Sequence, residues 1–161
     1  LARRQDLDDL REEFEGHNHD ERYAAGHAVK VYRTYAAALT SASLVSFDGF
    51  LFGANQSMWS LSDPTKIIVR SGGIFQVSGM FQSSPVAGTY RYLAANHNGA
   101  LIPGCTAIVT SASNSVDERH NFSMPVLCVA GDEITIYYEY SPGGHSMQCI
   151  TSVVRVSPQT S

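Results

Sequence analysis

Gly73-Ile74-Phe75-Gln76-Val77-Ser78-Gly79-Met80-Phe81-Gln82 is the stretch that decides the fold. Its residues alternate with period two. Ile74, Gln76, Ser78 and Met80 fall on one side of an extended chain, and Phe75, Val77, Gly79 and Phe81 fall on the other. The second side is the more apolar and is expected to face a core, with the first side turned outward. No helical period fits the same residues.

Working outward, strand-like runs alternate with turn signals along most of the chain. The expected strands are Ala38–Ser46, Gly49–Phe52, Lys66–Val69, Ile74–Phe81, Tyr90–Ala95, Cys105–Thr110, Glu118–Cys128, Glu133–Tyr140 and Met147–Val156. Ser71-Gly72-Gly73, Ser83-Ser84-Pro85, Asn96-His97-Asn98-Gly99, Ser111–Ser115, Gly131-Asp132 and Ser141-Pro142-Gly143-Gly144 separate them. Many short strands at this spacing imply an all-β sandwich. In Ile134–Tyr140, Ile134, Ile136 and Tyr138 oppose Thr135, Tyr137 and Glu139. The tyrosines of that strand suit either a subunit interface or packing within the chain.

The order of these landmarks resembles the trimeric jelly roll of complement globular heads and tumour-necrosis-factor-like domains. The residues that carry the likeness are Trp59 with Thr65-Lys66-Ile67-Ile68-Val69, then Gly73–Gly79, then Asn98-Gly99, Ala130-Gly131-Asp132-Glu133-Ile134 and Thr151–Val156. It spans roughly residues 38–156. It implies that Gly73–Gly79 is a central strand, that Ala-Gly-Asp leads into the next-to-last strand, and that the head is a homotrimer. Ile74 departs from the family, which often has Tyr there, and no acidic cluster of the calcium-binding type is visible.

The first 22 residues differ in character. They hold eight of the fifteen acids and four of the eleven bases, so the whole net charge of −4 sits there. Leu7, Leu10 and Phe14 follow the 3-then-4 spacing of a coiled-coil seam, flanked by Arg and Asp/Glu. Two heptads are short for an isolated helix, so partners and upstream sequence are expected, the chain starting at Leu1 as a piece of a longer protein. A lone solvated helix on its own domain is the other reading. Gly16 suits the end of this helix. His17 and His19 follow, and in an extended backbone both imidazoles point one way. Three parallel copies would gather six imidazoles, a number that suits an octahedral transition metal rather than tetrahedral zinc. A solvated polar linker is the plainer alternative.

Gly16-His17-Asn18-His19-Asp20-Glu21-Arg22-Tyr23 resembles the His-x-His element of trimeric bacteriophage tail fibres. That resemblance implies an iron ion held on the three-fold axis by His17 and His19. The expected organisation is a coiled-coil stem over 1–16, a metal-binding linker over 17–37 and a jelly-roll head over 38–161.

Several function classes drop out. Residues 23–161 balance seven acids against seven bases, which leaves no electrostatic footprint for nucleic acid or an anionic membrane. Apolar runs such as Ala36–Leu39 fall far short of the ~20 residues of a membrane span. Cys105, Cys128 and Cys149 are odd in number and widely spaced, so buried reduced thiols are expected rather than a disulfide framework, in keeping with assembly in a cytoplasm. No Gly-x-Ser-x-Gly elbow, His-Glu-x-x-His, P-loop or dinucleotide fingerprint occurs, and Asp117-Glu118 point apart on a strand. An enzyme is not expected.

The combined expectation is the tip of a phage tail fibre or receptor-binding protein. It would attach the virion to a bacterial surface saccharide or protein and join other tail proteins through the upstream stem. A secreted trimeric jelly-roll protein of adhesion or signalling, or a structural phage decoration or baseplate protein, are the alternatives. Counting reversals of strand direction puts Ser71–Gly73, Asn96–Gly104 and Ala130–Asp132 at the stem end. Gln82–Thr89, Ser111–Asp117 and Ser141–His145 fall at the far end, and Asp48–Ser57 is expected to join them. Ser84, Asn114, Ser115, Asp117 and His145 are the candidate receptor-binding residues there, on loops suited to adaptable polar contacts. Solvated loops without a partner, or a receptor groove between subunits, are the competing readings.

Overall fold

In the computed structural model, the structure describes residues 27–34, 38–39, 42–52, 58–83, 90–110, 118–141 and 145–158. The expected stem over 1–16 and the His17/His19 pair lie outside them. The described residues form eleven strands: β1 (Ala28–Arg33), β2 (Ala38–Leu39), β3 (Ser43–Leu44), β4 (Gly49–Phe52), β5 (Lys66–Ile68), β6 (Gly73–Ser83), β7 (Tyr90–His97), β8 (Ala100–Thr110), β9 (Glu118–Cys128), β10 (Glu133–Ser141) and β11 (His145–Pro158).

The strands make two antiparallel sheets. The first runs β4-β1-β11-β6-β9, with β2 also pairing β11; the second runs β3-β10-β7-β8, with β5 also pairing β10. β6 lies between β11 and β9, so Gly73–Gln82 is central, and its alternation resolves as the residues require. Phe75, Val77 and Phe81 are buried, and Ile74 is exposed. From the opposite sheet Ile134, Ile136 and Tyr138 of β10 and Leu93 and Ala95 of β7 meet them, with Ile102 and Cys105 of β8. Each large apolar side chain removed from water in this layer contributes about 1.5–3 kcal/mol. Gly79 answers a packing need: a Cβ there would lie 2.4 Å from Cζ of Phe122, the residue opposite it on β9.

Three expectations change. β1 falls inside the span read as a linker over 17–37 and pairs on both sides, with β11 and β4, so the sandwich includes Ala28–Arg33. The single strand expected over Ala38–Ser46 is two short ones in different places, because β2 pairs β11 while β3 pairs β10. Asn96–Gly104 is not a loop. β7 and β8 join through Asn98-Gly99, whose φ values of 50° and 80° are those of the tight hairpin turn that Asn-Gly favours.

The turns sort onto two ends as strand counting requires. At one end Val69 N–H donates to Asp132 O (2.8 Å), Gly131 N–H to Val69 O (2.8 Å), Asn98 N–H to Glu133 O (2.8 Å) and Arg155 N–H to His27 O (2.7 Å). The entry to β1 and the last residues of β11 share this end. At the other end Ser83 lies opposite Glu118 and Met147, and Tyr90 opposite Thr110 and Ser141.

Candidate functional site

Of the residues expected to bind a receptor, Ser84, Asn114, Ser115 and Asp117 lie outside the described residues. His145 is described only as the backbone that opens β11 opposite Leu39. The built features therefore lie elsewhere: a polar cluster at the β1-entry end, and two uncovered surfaces.

The cluster forms where three elements finish. His97 is the last residue of β7, Cys128 the last of β9, and Asp132 ends the turn into β10. The Asp132 carboxylate is the hub. Its Oδ2 stands 2.7 Å from His97 Nε2 and accepts the Val129 N–H at 2.8 Å, and its Oδ1 accepts from Asn98 Nδ2 at 2.9 Å. Asn98 is itself fixed, because its Oδ1 accepts the Glu133 N–H at 2.8 Å. The bond from Asn98, assisted by those from the Val129 amide and His97 and opposed by burial, holds the Asp132 carboxyl below the usual carboxylate range. The Cys128 thiol is buried, and that burial, with the Asp132 charge adding to it, pushes it up to about 11. The donor atoms of His97, Cys128 and Asp132 all lie within 4.8 Å of one another. Cys128 and Asp132 flank one tight turn, in which Asp132 N–H donates to Val129 O at 3.1 Å, whereas His97 is distant in sequence and is brought to them by the register that sets it opposite Ile134.

The first surface is the outward face of the first sheet. Register places Lys30, Ser152, Ser78 and Ser123 in one row across β1, β11, β6 and β9, and Tyr32, Ile150, Met80 and Asn121 in the next. Small side chains in the first row leave a shallow cleft of about 380 Å³, floored by Gly79 and Phe122. The second surface is the edge where β8 and β9 close the sandwich. Leu101 and Leu127 are 48% and 64% exposed there, and Ile108, farther along β8, is 70% exposed. A groove of about 370 Å³ runs between the two strands, lined by Leu101, Ile102, Pro103, Met124 and Leu127, with His97 at its border. Apolar side chains clustered in this way mark an interaction site more often than a bare surface.

All three cysteines are buried and unbridged. Burial pushes Cys105 and Cys149 up to about 11 as well, so neither is poised as a nucleophile. Trp59 is buried and donates through Nε1 to Pro64 O at 3.2 Å, a packing role.

No family model and no curated protein matches the chain. Among solved structures, the globular domain of zebrafish complement 1qA protein superposes with a TM-score of 0.66 at 13% identity, covering 83% of this chain and 99% of that one. The likeness to complement heads read from Trp59, Gly73–Gly79 and Ala130–Ile134 therefore holds at the level of architecture. The sandwich is a jelly roll of the complement 1q globular type.

Proposed function

We propose that this chain is a homotrimeric jelly-roll module that works by adhesion or recognition, through non-covalent binding and without catalysis. The supporting observation is that one protomer carries both an open sheet face and an apolar edge. The face of Lys30, Ser78, Ser123 and Ser152 holds a shallow cleft, and the β8/β9 edge exposes Leu101 and Leu127 beside an apolar groove. Such a pair suits a heterologous contact, in which the edge of each copy seats on the face of the next, and a closed ring then covers both surfaces in every copy. The likeness to trimeric complement and tumour-necrosis-factor-like heads implies a ring of three. The loops at the end away from the β1 entry are then free to meet a receptor, with Ser84, Asn114, Ser115, Asp117 and His145 as the candidate contacts.

Light scattering on the purified chain is expected to give about three times 17.5 kDa. A monomer at micromolar concentration overturns the reading.

The residues preceding Ala28 favour a narrower version. The Leu7/Leu10/Phe14 seam and the His17/His19 pair suit the junction of a phage tail fibre, with iron on the three-fold axis and the module displayed on the virion. Buried, unbridged thiols suit folding in a reducing cytoplasm. A secreted adhesion or signalling protein is the competing version, and the sandwich itself serves both. Elemental analysis separates them: one iron per trimer, lost in His17→Ala/His19→Ala, supports the fibre, and an iron-free trimer removes it.

A further inference from the structure

We propose that His97, Cys128 and Asp132 form a second metal site, one per protomer, that takes a zinc-class divalent ion through Nε2, Sγ and a carboxylate oxygen. It is separate from the His17/His19 pair and does not depend on the chain being a trimer.

The argument begins with distance. In a tetrahedral zinc site with bonds of about 2.0–2.3 Å, neighbouring ligand atoms stand roughly 3.3–3.6 Å apart. The three donors here already lie within 4.8 Å of one another. His97 Nε2 and Asp132 Oδ2, at 2.7 Å, need to part by roughly 0.6 Å. Convergence from three strand ends leaves little backbone to rearrange.

The surroundings are those of a supported ligand set. The carboxylate is aimed by two donors besides His97, the Val129 amide and Asn98 Nδ2. Asn98 is in turn locked by the Glu133 amide and sits in a left-handed turn position at φ 50°. Outer hydrogen bonds of this kind orient metal ligands and set their affinity.

Ligand chemistry selects the ion. Imidazole, thiolate and carboxylate together suit zinc and its spectroscopic stand-in cobalt(II), whereas calcium and magnesium take oxygen ligands almost alone. The proton balance is simple. The Cys128 thiol proton leaves to solvent as the sulfur–metal bond forms, and the imidazole proton that faces Asp132 moves from Nε2 to Nδ1. Three protein ligands leave a fourth tetrahedral position for water. Cys128 belongs to the first sheet and His97 to the second, so an ion held here would join the two sheets at the β1-entry end.

The test is a cobalt(II) titration of the full chain carrying His17→Ala/His19→Ala, so that the N-terminal pair does not compete. One equivalent per chain is expected to produce a thiolate-to-cobalt charge-transfer band that zinc abolishes. Cys128→Ser is expected to remove the band, and Cys105→Ser to keep it. His97→Ala changes a partly exposed residue and spares the core; it is expected to weaken cobalt binding at least tenfold. Asn98→Ala, which frees the carboxylate without removing a ligand, is expected to weaken it about 10–100-fold. No band at all, a band that survives Cys128→Ser, or unchanged affinity in His97→Ala each overturns the site. Loss of the trimer with the band retained leaves this site standing and removes the proposed function instead.

Discussion

The two sheets of this sandwich treat their outward faces in opposite ways. On the second sheet the outward side chains of β7 and β10 are occupied with one another. Tyr92 and Tyr137 meet edge to face with ring centroids 6.1 Å apart, and Tyr90 and Tyr137 both donate to Glu139, at 2.8 and 3.2 Å. The first sheet instead sets serines side by side across three strands, with Lys30, Met80 and Ile150 around them, and the cleft they leave is open. A strand pattern alone does not distinguish these faces, since both alternate cleanly. What separates them is whether the outward groups fill the layer. Aromatic rings and a carboxylate fill a layer within the chain, whereas on the first sheet the polar groups pair locally, Gln76 Nε2 donating to Ser123 Oγ at 2.7 Å, and the small serines leave the cleft unfilled.

The sharpest way to break this contrast is to put the same kind of insult on each face. Ser78→Arg plants a charge in the middle of the open face and is expected to turn trimers into monomers, read directly as a threefold fall in mass. Tyr137→Ala on the other face is expected to keep the trimer and to cost about 1 kcal/mol of stability from the lost aromatic pair. Trimers of Ser78→Arg would show that the open face is not the contact.

A smaller effect probes the layer beneath that face. Gly79→Ala drives a Cβ against the Phe122 ring and is expected to cost about 1–3 kcal/mol by overpacking, seen as a lowered Tm. Pairing it with Phe122→Leu should return part of the loss. Equal Tm values for Gly79→Ala and the parent chain would mean that the ring moves aside freely.

The smallest effect concerns the cluster at the β1-entry end. The Asp132 carboxyl titrates lower in the folded chain than in the unfolded one. Its contribution to stability is therefore fully present above the ordinary carboxylate range, near ~4, and is lost as pH falls through the lower folded value. In chelator-treated protein, the Tm gap between the parent chain and Asp132→Asn is expected at neutral pH and should close as pH drops from about 5 towards 2. A gap that stays constant over that range would remove the carboxylate from the account.

Much of the sandwich was legible because strands half-buried on a core carry their own period. Gly73–Gln82 and Glu133–Tyr140 put their apolar residues on the right side, and Glu118–Cys128 matched β9 at both ends. β1 was missed although Val29 and Val31 alternate with Lys30 and Tyr32, because six residues next to a polar segment read equally well as linker; its place is set by β11 and β4. Asn96–Gly104 misled in the other direction. Its polar residues and glycines looked like loop, but Asn98-Gly99 is only the hinge of a hairpin, and Gly104 at φ 82° belongs to an irregular stretch of β8 where the pairing shifts. Of the His97, Cys128 and Asp132 trio, only the Cys128–Asp132 proximity across the Val129–Asp132 turn is local; His97 joins them through β7/β10 register, which neither spacing nor period reports. Loop composition alone points to the receptor residues; Ser84, Asn114, Ser115 and Asp117 fall outside the described residues, and His145 opens β11 opposite Leu39.

The neighbouring placement of β1 and β11 carries a mechanical consequence. Ala28 faces Val154 near the point where both strands meet the same end of the sandwich. Tension applied between these two strands at that end pulls across the ladder and breaks its hydrogen bonds one after another, as a zip opens. Tension between that end and the far loops runs along the strands and loads the bonds of β11 with β1 and β6 together. A head anchored at its β1 entry and gripped at its far tip is thus held in its stronger direction.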